Sequence, residues 1–315
     1  MARRGYGTRR RPGVTVRAKR VAVATTALVA VSTTIIGVLV TSEGHATGHT
    51  DLAAPSAARH RGQTGVPPTT ARRQRLTSLP STVPSVTTTA LPLAGKVVAI
   101  DPGHNGGNAA ASTQINQLVN AGGFTKACDT TGTETNGGYP EYEFNLNVAI
   151  ETAALLRVAG AHVILTRTTS TGIGPCVTER AAIGNLAHAD AAISIHADGG
   201  PESGRGFQVI EPLPVVSSIS NNSAIIGPSD NLALDVRAAF APATDMPYAN
   251  YIGSDGLSRR NDLGGLNLSV VPKVFIECGN MRNATDAALL TSPAWQERAA
   301  QGIAQGIETF LERSR

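Results

Sequence analysis

The sequence predicts an α/β fold, a three-layer sandwich with a mostly parallel, twisted sheet and helices on both faces. Three observations predict it. Short apolar, β-branched runs alternate with stretches of helical period from residue 96 onward, the order of strand–helix–strand units around a parallel sheet. Three of those runs stop abruptly in polar or turn-forming residues: Val97-Val98-Ala99-Ile100 in Asp101-Pro102-Gly103-His104, Ala191 to Ile195 in His196-Ala197-Asp198-Gly199, and Val274-Phe275-Ile276 in Glu277-Cys278-Gly279-Asn280. Each reads as a buried strand emptying into a loop, at the edge where open α/β sheets gather ligands and metals. Hydrophobic residues make up 41% of the chain and aromatics only 4%, so the core must be built from Ala, Val, Ile and Leu.

The elements follow in order. Residues 96–100 form the first strand. Residues 105–140 are rich in Gly, Asn and Thr and read as a long loop or flap. Residues 141–158 carry a helical pattern through Phe144, Leu146, Val148, Ile150, Leu155 and Leu156, closed by Gly160. A strand is expected at 162–166, a short helix at 179–187, strands at 191–197 and 206–210, a helix at 231–240, a strand at 273–277 and a terminal helix at 292–312. No internal repeat interrupts this order. The expected domain is 94–315, as a monomer.

The 315 residues carry a formal net charge of +4, but the charge is segregated. Of the 27 basic residues 13 precede Lys96, with only 2 of the 23 acidic ones, so the rest carries 14 against 21, or −7. A nucleic-acid partner is excluded on this ground, because phosphate binding needs positive charge on the folded face.

Residues 1–20 hold eight Lys and Arg, and residues 21–40 hold no charge. A basic segment followed by an apolar one is the layout of an export signal. The apolar segment is about as long as a membrane span, which needs roughly 20 residues, and it is the expected membrane contact. Gly44-His45-Ala46 offers small residues for cleavage, so 1–46 reads as a cleaved signal or a retained anchor. Either way the basic end stays inside and the remainder is exported to the envelope or beyond. Residues 47–93 are rich in Ala, Pro, Ser, Thr and Arg, a composition that cannot offset its ordering entropy. They read as a disordered linker, either a plain spacer or a tether whose five arginines rest on anionic polymers.

Seven histidines sort by position. His45, His49 and His60 lie in the N-terminal tail, His162 opens a strand, and His188 ends a short helix, where the dipole favours positive charge. His104 and His196 remain, each just past a buried strand among small neighbours. Two imidazoles at equivalent strand ends point to a metal. A catalytic zinc commonly takes three protein ligands, His₂Glu among them, and keeps a fourth position open. Glu141 and Glu143, where the flap enters the first helix, are both candidates for the carboxylate, and both are ordinary first-turn residues. Glu277 closes an apolar strand, where a bare carboxylate is costly to bury. It reads as a general base beside the metal, or as half of an ion pair with Arg259, Arg260 or Arg282. Cys128 in the flap and Cys176 before the short helix can bridge in an oxidising compartment and tie the flap to the body. Cys278 reads as a buried free thiol.

Taken together, Asp101-Pro102-Gly103-His104, Glu141 ahead of Asn145-Leu146, Ser194-Ile195-His196-Ala197-Asp198, and Glu277 with Gly279-Asn280 and Asn283 resemble the zinc-dependent N-acetylmuramoyl-L-alanine amidases of the Amidase_3 family. The resemblance runs from about residue 96 to the C-terminus. It implies a parallel-sheet α/β fold, one zinc ion, and peptidoglycan as partner and substrate, cut between N-acetylmuramic acid and the L-alanine of the stem peptide. By motif it implies His104, Glu141 and His196 as metal ligands and Glu277 as the catalytic glutamate. It also prefers Glu141 to Glu143, from its offset before the Asn-Leu pair. Two readings compete: a catalytically silent wall-binding or activator module, which has no need of all four polar residues, and a zinc peptidase acting within the stem peptide. The helical motif with two histidines one turn apart around a glutamate, which the peptidase reading would favour, is missing.

Overall fold

The computed structural model describes residues 90–314. The expected export segment, membrane contact and most of the linker lie outside the described residues. In chain order the strands are β1 (Val97–Pro102), β2 (Leu118–Asn120), β3 (Thr125–Ala127), β4 (His162–Leu165), β5 (Ala191–Asp198), β6 (Gln208–Pro212), β7 (Leu257–Arg260) and β8 (Lys273–Asn280). The α-helices are α1 (Ser112–Ile115), α2 (Glu141–Val158), α3 (Val177–Leu186), α4 (Ile226–Thr244), α5 (Gly264–Asn267), α6 (Ala284–Leu290) and α7 (Pro293–Arg313). No helix among the described residues is long and apolar enough to cross a membrane.

Six strands form one sheet in the order β4-β1-β5-β8-β6-β7. The first four run parallel; β6 is antiparallel to β8, and β7 is parallel to β6. The expected mostly parallel sheet is therefore correct, with one reversed pair at an edge. Residues 257–260 were not expected as a strand: Leu-Ser-Arg-Arg has a single apolar residue, the composition of an edge that discourages further pairing.

Strand pleating sends alternate residues to opposite faces. Val98 and Ile100 of β1, Ile193 and Ile195 of β5, and Val274 and Ile276 of β8 all enter one large apolar core. That core is covered by α2, α4 and α7, through Phe144, Val148, Leu156, Leu232, Val236, Trp295, Ile303 and Ile307. The intervening residues face α3 and α5, where apolar packing is thin: Ala99 and Ala192 in one small cluster, Phe275 with Leu266 and Ile210 in another. Asp101, Ser194, His196, Lys273 and Glu277 belong to this second set by the same alternation.

The flap holds more regular structure than its composition led us to expect. It contains the short helix α1 and the antiparallel hairpin β2–β3, in which Leu118 pairs with Ala127 and Asn120 with Thr125. Cys128, directly after β3, is disulfide-bonded to Cys176, the residue before α3, with Cα atoms 4.5 Å apart. The cross-link closes a span of 48 residues, worth about 4 kcal/mol on the chain-entropy account. Cys278 is free and buried, as expected.

Candidate metal centre

His104, Glu141 and His196 come together at the C-terminal ends of β1 and β5 and the N-terminus of α2. Each offers one ligand atom, and these atoms lie within 4.8 Å of one another. Glu141 is buried between the imidazoles: Oε2 stands 3.2 Å from His104 Nε2, and Oε1 2.9 Å from His196 Nδ1. Three further donors hold the carboxylate. Thr133 N donates to Oε2 at 2.9 Å, and Asn145 Nδ2 and Ala197 N donate to Oε1 at 3.2 and 3.3 Å. Asn145 is one helical turn after Glu141, which is why the two occur at that spacing. Glu143 is exposed and does not join the cluster.

The loop after β1 is shaped by the site. His104 has φ +58°, a left-handed conformation unusual for a residue with a side chain. A Cβ on Gly103 would fall 2.0 Å from His196 Cε1, so only glycine lets the two strand ends approach. The His104 and His196 rings meet edge to face at 4.9 Å. His104 Nδ1 faces the Thr130 carbonyl at 3.1 Å. A carbonyl only accepts, so Nδ1 carries a hydrogen, and Nε2, facing Glu141, is the ring atom turned toward the ligand cluster. His196 stacks on Phe275 at 5.3 Å.

Beneath this loop lies a buried charge cluster. Asp101 accepts from Thr166 Oγ1 and Ser194 Oγ, both at 2.6 Å, and from Arg180 Nη1 at 2.8 Å. Arg180, 4% exposed, also donates to Asp129 and to the Pro102, His104 and Pro175 carbonyls. Arg167 donates to the Pro102, Gly103 and Tyr142 carbonyls. Two arginines thus clamp the backbone that carries His104. Burial pushes the Asp101 carboxyl up, but Arg180, Lys273 and the two hydroxyls outweigh it and hold it far below the ordinary range. Sequence reading missed both arginines, Asp129 and Phe275. The available signals were Arg180 beside the small residues Ala181 and Ala182, and Arg167 directly after a strand.

Glu277 is the next residue over: it pairs in register with His196 across β5 and β8. Its Oε2 is buried and has no hydrogen-bond partner among the described residues. Burial, then the Glu141 and Asp198 carboxylates, push its carboxyl well above the ordinary value. The ion-pair alternative is not realised. Arg259 pairs with Glu211 and Asp230, Arg260 with Asp262, and Arg282 donates to the Glu134 carbonyl.

The donor set fits a divalent cation. Ligands at about 2.0–2.1 Å in tetrahedral array stand roughly 3.4 Å apart, close to the 2.9 and 3.2 Å separations here. The site already gathers positive charge around Glu141. Burial lowers the His104 pKa, but Glu141 and Asp129 outweigh it and raise it to about 10. A cation would meet the same electrostatic demand.

A metal-competent donor set on the strand ends of a largely parallel sheet, with an unpartnered carboxylate one strand away, defines a class: hydrolases that activate water at a buried site. Comparison with known proteins then fixes the family. The Amidase_3 family, N-acetylmuramoyl-L-alanine amidase, matches residues 98–309. The chain is 41% identical over 229 residues to the N-acetylmuramoyl-L-alanine amidase Rv3717 of Mycobacterium tuberculosis, covering 73% of this chain and 92% of that protein. Among solved structures it is similar to the N-acetylmuramyl-L-alanine amidase Ami1 of Mycobacterium smegmatis, with TM-score 0.65, 42% identity and coverage of 71% and 99%. Ami1 of Mycobacterium abscessus gives TM-score 0.64, 43% identity and coverage of 69% and 99%. The chain belongs to the Amidase_3 family and is a peptidoglycan amidase.

Proposed function

We propose that this amidase is a one-zinc enzyme in which His104, Glu141 and His196 hold the metal and Glu277 is the catalytic base. The observation that carries the reading is the convergence of three ligand atoms beside a carboxylate oxygen that no group among the described residues satisfies. Zinc, when bound there, supplies Lewis acidity toward the amide carbonyl and the attacking water. Glu277 Oε2 takes a proton from that water as its oxygen adds to the carbonyl carbon. It then delivers the proton to the alanine nitrogen as the C–N bond breaks. The products are the free lactyl carboxylic acid on the muramic acid and the free amine of the stem peptide. A base with a raised pKa suits both transfers, because it holds the proton long enough to hand it on. The Thr130 carbonyl keeps His104 in the tautomer that presents Nε2, and Phe275 sets the plane of His196.

Residues 94–315 are the catalytic domain in this reading, 47–93 a linker and 1–46 an export signal or anchor. Action in the envelope or outside the cell follows from the substrate, which lies beyond the membrane. The test is digestion of an N-acetylmuramoyl-L-alanyl peptide by the full chain, with chelator and with zinc restored, read by mass spectrometry. Release of intact stem peptide, lost with chelator and regained with zinc, is expected. Cleavage inside the stem peptide, or activity indifferent to chelator, overturns the assignment.

A further inference from the structure

A cavity of about 200 Å³ adjoins the metal centre, between the β2–β3 hairpin, the start of α3 and α5, with His104, His196 and Glu277 in its lining. Much of its wall is apolar, through Ala127, Val177, Leu263 and Phe275. Its charged residues are almost all accounted for within the fold. Asp101 and Asp129 are both ion-paired with Arg180, at 2.8 and 3.0 Å. His104 is taken by Glu141, and Glu277 is the proton carrier of the reaction. One charge is left over.

That charge is Lys126, on β3. It is half-buried, lines the cavity, and donates to the Asp262 carbonyl at 3.2 Å. No carboxylate pairs with it among the described residues. The nearby Asp262 carboxylate is engaged by Arg260 through two bonds of 2.8 and 2.7 Å. The disulfide at Cys128, two residues on, anchors this strand to the body of the domain. An ammonium held at the wall of a small cavity, inside a domain of net negative charge, is poised for an anion that arrives with the substrate.

We propose that this cavity receives the stem-peptide side of the substrate. Its apolar wall accepts the alanine methyl next to the scissile amide, and Lys126 binds the free α-carboxylate of the second stem residue, a γ-linked D-glutamate. The proposal rests on the amidase reading above. It makes Lys126 a specificity-determining residue, because a carboxylate there forms an ion pair with the ammonium, where the carbonyl of a neutral amide brings no opposing charge.

The experiment compares two muramyl tripeptides that differ only in whether that α-carboxyl is free or amidated, using the zinc-loaded full chain. The wild type is expected to favour the free acid by about 10- to 100-fold in kcat/KM, mainly through KM. Lys126→Met is expected to bring the ratio close to one, and Lys126→Arg to keep most of it. Equal cleavage of both tripeptides by the wild type overturns the carboxylate subsite, leaves the amidase reading standing, and needs no variant. A preference that survives intact in Lys126→Met also overturns it. Cleavage of neither tripeptide by the wild type counts against the amidase reading itself, and this proposal falls with it.

Discussion

The two faces of the six-stranded sheet are made from alternate residues of the same strands, and they serve opposite ends. Ile193 and Ile195 of β5 sink into the large core under α2, α4 and α7, while the alternating Ser194 and His196 face the thin α3–α5 layer. Ile276 and Glu277 divide in the same way on β8, as do Ile100 and Asp101 on β1. Stability is concentrated on one face, where apolar side chains are fully removed from water. The other face is left free to carry buried charge, which contributes little to stability by itself and must be satisfied group by group. Within that polar face a second contrast holds. Asp101 is saturated by partners and its pKa is driven down, whereas the Glu277 Oε2 has no partner among the described residues and its pKa is driven up. The saturated carboxylate is architecture; the unsatisfied one is the proton carrier we propose.

This contrast can be broken at three points. The largest effect is expected at Glu277. Glu277→Gln should slow kcat by about 10²–10⁴-fold, while zinc content by atomic absorption and the thermal midpoint match or exceed the wild type. Turnover near wild type in that variant would mean that the unsatisfied oxygen is not the base.

The next effect falls on stability rather than turnover. Asp101→Asn leaves Arg180 short of a buried partner, and urea denaturation should show a loss of about 3–5 kcal/mol. The sign of the pH dependence follows from the lowered pKa. The unfolded chain binds the Asp101 proton first, so its contribution is complete above the ordinary value of 3.8 and is lost as pH falls below it. The wild type should therefore lose stability progressively as pH falls from about 5 toward about 1, most of it below the ordinary carboxylate value, and Asp101→Asn should lose less across that window. Parallel acid limbs would place the stabilising charge elsewhere.

The third point sharpens the comparison from the apolar side. Ile193→Ala, three residues before His196 but on the opposite face, should cost about 2–5 kcal/mol of stability by cavity formation. Zinc content of the folded protein should stay at one ion. Loss of metal in that variant would show that the two faces are mechanically coupled more tightly than strand alternation implies.

Much of this was open to sequence reading, and the reasons are local. A strand that ends in Pro-Gly places the next residue beyond the sheet edge, so His104 announces itself. His196 and Glu277 do so by closing apolar runs. The helix from 141 to 158 declared its start and stop through its period and the glycine at 160. The flap was less legible. Its Gly, Asn and Thr content concealed the β2–β3 hairpin, because three-residue strands carry too few alternations to register. Lys126 gave no sign in one dimension that it would stand at a cavity wall.

What the sequence determined by itself was therefore periodic or terminal: the order of strands and helices, the apolar face of each, and which polar residues stand at strand ends. What only the tertiary structure decided was partnership. Asp101 meets Arg180 across 79 positions and Ser194 across 93, and Arg180 meets Asp129 across 51. No local pattern encodes such meetings, because they depend on strand order and on which loops the disulfide holds close. The choice of Glu141 over Glu143 had a motif behind it, but the physical reason came only with the fold. Two residues along the helix, about 200° of rotation, separate an exposed glutamate from one placed between two imidazoles.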